Sequence, residues 1–114
     1  MTEEKKGYNT NVIVINGNLT KDAELKDVGE GDKKSSVMMF TLANNSDSVT
    51  TYVKIEEWGP HAKAMAPILK KGMKVQVVGK LRIDQVPDKD DKEKNNYYTK
   101  VVAKEIEILS KKQD

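Results

Sequence analysis

Apolar residues recur along this chain in two rhythms, and the change of rhythm divides it into elements. Val12-Ile13-Val14-Ile15 is β-branched throughout, which predicts a strand covered on both faces. Leu19 and Thr20 continue the extended pattern past Gly17, so this first strand is predicted to bend at the glycine and serve two sheets. Lys21 to Lys34 reads as a charged connection holding the turn cluster Gly29-Glu30-Gly31-Asp32. Val37 to Ala43 is the second strand, with Met38, Phe40 and Leu42 on one face. Asn44 to Ser48 reads as a turn, and Thr50 to Trp58 returns as the third strand. Its alternation sets Tyr52, Lys54, Glu56 and Trp58 on one face and Val53, Ile55 and Glu57 on the other. Glu57 thus falls on the inward parity, where a carboxylate is out of place.

Gly59-Pro60 stops the strand, and Pro60 suits the first turn of a helix. Ala62, Met65, Ile68 and Leu69 then make a helical apolar stripe. Pro67 is expected to shorten or kink it, because a proline ring removes one hydrogen bond and crowds the preceding turn. Val75 to Ile83 is the fourth strand, with a second interior glycine at Gly79. Val86 to Asn96 is a charged hairpin arm, and Tyr97 to Leu109 is the fifth strand. Three strands, one short helix and two strands, with glycines where strands must curve, is the element order of the OB-fold. The prediction is an all-β chain, a five-stranded Greek-key barrel with a short helix between strands 3 and 4. Residues 1–10 read as a flexible N-terminal arm, 11–109 as one domain, and 110–114 as a short polar end.

Composition narrows the chemistry. The 114 residues contain no cysteine and a single histidine, His61, so a thiolate nucleophile, a Cys-based zinc site and a His pair are all excluded. Carboxylates gather in turns rather than converging from strands, and no catalytic set is expected. The stretch Asp88-Lys89-Asp90-Asp91-Lys92-Glu93 lacks the glycine and ligand spacing of a calcium loop, and its lysines oppose a cation. No metal or cofactor is therefore expected. The polar N-terminus and the absence of a long apolar run predict a cytoplasmic protein without a membrane anchor.

Net charge is only +2, but its distribution is uneven. No acidic residue stands between Glu57 and Asp84, while Lys63, Lys70, Lys71, Lys74, Lys80 and Arg82 do. One basic side facing a polyanion would explain this. Two flat aromatics on the third strand, Tyr52 and Trp58, share a face with Lys54 between them. Stacking on such rings is indifferent to base identity, because every base has a π-face. The candidate nucleic-acid contacts are Tyr52, Lys54, Trp58, Lys63, Lys74, Lys80, Arg82 and Tyr98. Tyr97, the neighbour of Tyr98, points the other way and is assigned to packing. Glu56 opposes a uniformly positive groove. His61 is read as a polar surface or cap residue.

Asn11-Val12-Ile13-Val14-Ile15-Asn16-Gly17-Asn18-Leu19-Thr20-Lys21-Asp22-Ala23-Glu24-Leu25 resembles the opening of bacterial single-stranded DNA-binding proteins. Phe40-Thr41-Leu42-Ala43, Trp58-Gly59, Leu69-Lys70-Lys71-Gly72, Gly79-Lys80-Leu81-Arg82, Tyr97 and Val101-Val102-Ala103 match further segments in the right order. The resemblance spans about residues 11–109. It implies sequence-independent binding of single-stranded DNA in replication, recombination or repair, with no catalysis and no cofactor. It also implies a homo-oligomer, with a tetramer favoured over a dimer. It carries the two stacking aromatics of the third strand onto Tyr52 and Trp58. Two further aromatics that the family often has fall here near Ser48 and Val86, where none stands. Cellular members continue into a linker and an acidic tip that recruits replication and repair proteins. Lys111-Lys112-Gln113-Asp114 holds no such acidic tail, which fits a shortened chain or the tailless form of a phage or mobile element. The competing reading is an OB-fold adaptor of primosome type that binds protein as well as nucleic acid. Stacking and phosphate contacts do not read the 2′-OH, so RNA stays open at this point.

Overall fold

A computed structural model of the chain describes residues 9–110; the N-terminal arm up to residue 8 and residues 111–114 lie outside the described residues. The elements are β1 (Ile13–Leu19), β2 (Glu24–Val28), a 3-10 turn (Gly31–Lys33), β3 (Ser35–Ser46), β4 (Val49–Trp58), α1 (Pro60–Met65), β5 (Lys74–Pro87) and β6 (Asn95–Ile108). The strands pair in the order β1-β5-β6-β4-β3-β2, and a further β1–β3 pairing closes a ring of five. All pairings are antiparallel except β4–β6, where only Ile55↔Val101 and Glu56↔Val102 join in parallel. This is the OB-fold barrel expected from the element order.

Both interior glycines sit where two strands approach too closely for a side chain. At Gly17 an added Cβ would stand 2.5 Å from the carbonyl oxygen of Ala43. There β1 leaves β5 for β3, and Asn18 pairs with both Lys74 and Ala43. At Gly79 an added Cβ would run into the Val102 carbonyl. The register shifts at this point, so that Val78 faces Glu105 and Gly79 faces Ala103, leaving Lys104 as the extra residue of a bulge on β6.

The barrel is filled by Leu19, Met38, Phe40, Leu42, Ile55, Val75, Val77 and Val101, and one end is plugged by Ala62, Ala66 and Leu69. The helix ends at Met65, just before Pro67, as the proline requires. The predicted helical stripe is accordingly divided: Leu69 is buried beyond the helix, while Ile68 is exposed.

Four expectations are corrected. β2 is an additional strand inside the supposed connection, and it adds to β3 outside the ring. All five of its residues are exposed, so backbone pairing and one side-chain hydrogen bond, from Ser36 Oγ to Asp27 Oδ1, hold it, and no apolar alternation marks it. The first strand is covered on one face only: Ile13 and Ile15 pack on the core, whereas Val12 and Val14 are exposed. The hairpin between β3 and β4 turns on two residues rather than five. Asp47 and Ser48 both take positive φ, 51° and 65°, the geometry of a type I′ turn. Finally, β5 and β6 run on past the barrel to Pro87↔Asn95 as a two-stranded ribbon, and both Tyr97 and Tyr98 are exposed on it. Tyr97 therefore does not pack on the core, because the core ends before the ribbon begins.

Candidate nucleic-acid interface

Strand parity collects most of the candidate residues on one outer surface. On β4, Tyr52, Lys54, Glu56 and Trp58 alternate with Val53, Ile55 and Glu57, and Ile55 is fully buried in the barrel. β6 lies beside β4, and its residues of outward parity are Tyr98, Lys100 and Val102. β5 comes next, with Asp84 opposite Tyr98, Arg82 opposite Lys100 and Lys80 opposite Val102. Tyr52, Lys54, Trp58, Lys80, Arg82 and Tyr98 are thus carried on three neighbouring strands. Tyr52 and Trp58 are 68% and 46% exposed, six residues or about 20 Å apart along β4. Lys63 lies on α1 at the plugged end, and Lys74 begins β5, about 20 Å along that strand from Lys80. Neither joins the group.

A row of polar contacts crosses this surface. The indole Nε1 of Trp58 donates to Glu56 Oε1 at 2.7 Å. Lys100 Nζ donates to Glu56 Oε2 at 3.0 Å and lies 3.1 Å from Asp84 Oδ2. Arg82 Nε donates to Asp84 Oδ1 at 3.0 Å. The hydrogen bonds from Lys100 and Arg82 hold Asp84 below the usual aspartate range. Partial burial pulls Lys100 down, but its hydrogen bonds to Glu56 and Asp84 outweigh this and raise it above its ordinary value. Both groups are ionised at neutral pH.

Sequence reasoning singled out neither Lys100 nor Asp84, and it read Glu56 only as an unfavourable charge. The missed signal is weak: Lys100 is one of two lysines on the last strand, standing just before its apolar run Val101-Val102-Ala103. A cavity of about 290 Å³ opens beside the row, lined by Thr20, Lys21, Met39, Lys54, Glu56 and Lys100 among others.

Glu57 is the inward carboxylate that the alternation left unexplained. It is 4% exposed. His61, the second residue of α1, places Nδ1 2.9 Å from its Oε2, while Oε1 is buried without a partner among the described residues. The histidine therefore supports a buried acid, which gives the polar role read for it a specific partner. A buried oxygen without a hydrogen bond is destabilising by about 1–3 kcal/mol. Glu57→Leu is expected to stabilise the fold by about 1–2 kcal/mol, raising Tm by roughly 4–16 °C in a domain of this size. A lowered Tm in calorimetry would show that the His61 contact outweighs the stranded oxygen.

A family model described as the single-strand binding protein family matches residues 10–109. Single-stranded DNA-binding protein 1 of Xylella fastidiosa is 29% identical over 111 residues, covering 91% of this chain and 80% of that protein. Single-stranded DNA-binding protein 3 of Clostridium acetobutylicum is 32% identical over 106 residues, covering 87% and 70%. Among solved structures, a deletion mutant of the single-stranded DNA binding protein from Thermus aquaticus matches with a TM-score of 0.70 at 24% identity. That alignment covers 98% of this chain but 47% of the other, so the chain spans about half its length.

Proposed function

The chain belongs to the single-strand binding protein family, and from that membership we propose that it binds and protects single-stranded DNA without regard to sequence, in replication, recombination or repair. One observation supports the reading above all. Two exposed aromatics share a strand face with Lys54 between them, and Lys80 and Arg82 flank that face on β5. Bases stack on Tyr52 and Trp58, and the cations take the phosphates between them. Tyr98 adds a third ring toward the ribbon. The reading includes no catalysis and no cofactor, and residues 11–109 form the binding domain. No helix among the described residues is long and apolar enough to cross a membrane, and a cytoplasmic location fits DNA as the ligand.

The deciding experiment is a titration of the single tryptophan's fluorescence with oligo-dT, duplex DNA and oligo-U. Oligo-dT is expected to bind far more tightly than duplex. Three phosphate contacts, from Lys54, Lys80 and Arg82, give a slope of log K against log salt of about −2. A slope near zero would reduce the basic residues to solvated surface. Equal affinity for duplex and oligo-dT would favour the adaptor reading instead, and tighter binding of oligo-U would make RNA the ligand.

The chain is also proposed to act as a homo-oligomer, a tetramer rather than a dimer. Val12, just before β1, and Val14, on the outer face of β1, are 61% and 60% exposed, and Val14 lies beside Val78 of β5. A β-branched run with one bare face is what a subunit contact would cover. Light scattering is expected to give a multiple of the 12.8 kDa chain mass, and Val14→Asp to lower it. A wild-type chain that scatters as 12.8 kDa at micromolar concentration would remove this part of the proposal.

A further inference from the structure

A groove meant for phosphates has no evident use for two carboxylates, yet Glu56 and Asp84 stand on the outward face of its strands. Each is fully engaged. Glu56 takes the Trp58 N–H with one oxygen and the Lys100 ammonium with the other. Asp84 takes Lys100 with one oxygen and Arg82 Nε with the other. The row is most enclosed at its centre, where the side chains of Glu56 and Lys100 are 12% and 21% exposed. Both ends are open to solvent: the Trp58 ring at one and the Arg82 guanidinium at the other. Its two acids and two bases cancel in net charge, and only the Arg82 guanidinium at its open end is left to meet a phosphate. What it does supply is orientation. An exposed indole has one N–H and otherwise turns freely about its side-chain bonds, and a fixed acceptor at 2.7 Å sets the ring plane. Asp84 occupies Nε of Arg82 and leaves the terminal guanidinium nitrogens for a phosphate.

We infer that Glu56 and Asp84 are positioning residues, which hold the Trp58 ring and the Arg82 guanidinium ready for the strand, and that Lys100 only balances the charge of these two acids inside the row and does not contact DNA. The inference rests on the reading of Trp58 as a stacking platform. Holding the two ends before the ligand arrives lowers the ordering that binding would otherwise require.

Single substitutions would strand a partly buried charge, so the test uses pairs. Glu56→Gln with Lys100→Met keeps a carbonyl acceptor for the indole and leaves no unpaired charge between those two positions. Glu56→Leu with Lys100→Met removes the acceptor. Affinity is read by anisotropy of a dye-labelled oligo-dT, and ring motion by the fluorescence anisotropy decay of Trp58. The Gln/Met pair is expected to bind within about twofold of the wild type, with an unchanged salt slope and a slow decay. The Leu/Met pair is expected to bind about five- to tenfold more weakly, the size of one net hydrogen bond, and to show nanosecond ring motion.

Wild-type affinity in the Leu/Met pair overturns the inference. So does a salt slope shallower by about 0.7 in the Gln/Met pair, which would make Lys100 a phosphate contact. A second route leaves every other side chain in place. The single tryptophan is replaced by benzothienylalanine, whose sulfur stands where the N–H was, and the same loss of affinity is expected. Trp58→Ala runs beside all of them. Unchanged affinity in that variant sinks the stacking reading itself. Failure of the positioning role alone shows instead as a Leu/Met pair that binds normally while Trp58→Ala does not.

Discussion

Trp58→Ala is expected to weaken oligo-dT binding by about 1–3 kcal/mol, roughly five- to 150-fold, with little change in Tm. The asymmetry follows from where the ring lies. Trp58 is 46% exposed at the end of β4, and the barrel is filled without it. A core aromatic behaves the other way, since its truncation destabilises the fold by about 3–5 kcal/mol. Tyr52→Ala is expected to act in the same sense but less, because the ring is smaller. Phe40, 6% exposed and packed in the barrel, supplies the contrast within the same chain. Phe40→Ala lowers Tm and leaves residual binding in proportion to the folded fraction. A melt beside a binding titration for each variant separates the cases. Unchanged affinity with a lowered Tm for both Trp58→Ala and Tyr52→Ala would move those rings out of the interface.

The second large effect concerns closure of the barrel. Gly79→Ala is expected to destabilise the fold by about 3 kcal/mol or more, because the added carbon meets the Val102 backbone and no flexible side chain can yield. In a domain of this size that lowers Tm by roughly 12 °C or more. Chemical denaturation at constant m-value would report the same loss. A melt within about 2 °C of the wild type would mean that β6 can shift its bulge to make room.

These glycines were legible in the sequence because an interior glycine in a β-branched run is a local signal. The same holds for the alternation of β4, which put Tyr52, Lys54 and Trp58 together and set Ile55 inward, and for Pro67 ending the helix. β2 was not legible. Its five residues carry no buried side chain, and it exists through hydrogen bonds to β3, a long-range property with no local mark. The exposure of Val12 and Val14 was hidden for a related reason. A β-branched run reports that both faces favour apolar cover, not whether one chain supplies both covers. The row from Trp58 to Arg82 depends on the register of β4 against β6 and of β6 against β5. No spacing within any one strand encodes that register, so Lys100 and Asp84 looked like ordinary surface charge.

The parallel seam between β4 and β6 has a consequence for how the chain is made. Only Ile55↔Val101 and Glu56↔Val102 close the ring there, and the partners are separated in sequence by the helix, the whole of β5 and the ribbon. During synthesis, β1, β3 and β4 can pair early, yet the sheet they form stays open until β6 leaves the ribosome. Until then β4 presents a bare edge whose inward side chain is Ile55, and closure must meet the entropy of a long loop before any contact rewards it. The nascent chain is therefore most open to misassociation with its own copies in the interval before residue 102 emerges. A ribosome stalled within that interval would hold the chain in its most aggregation-prone form.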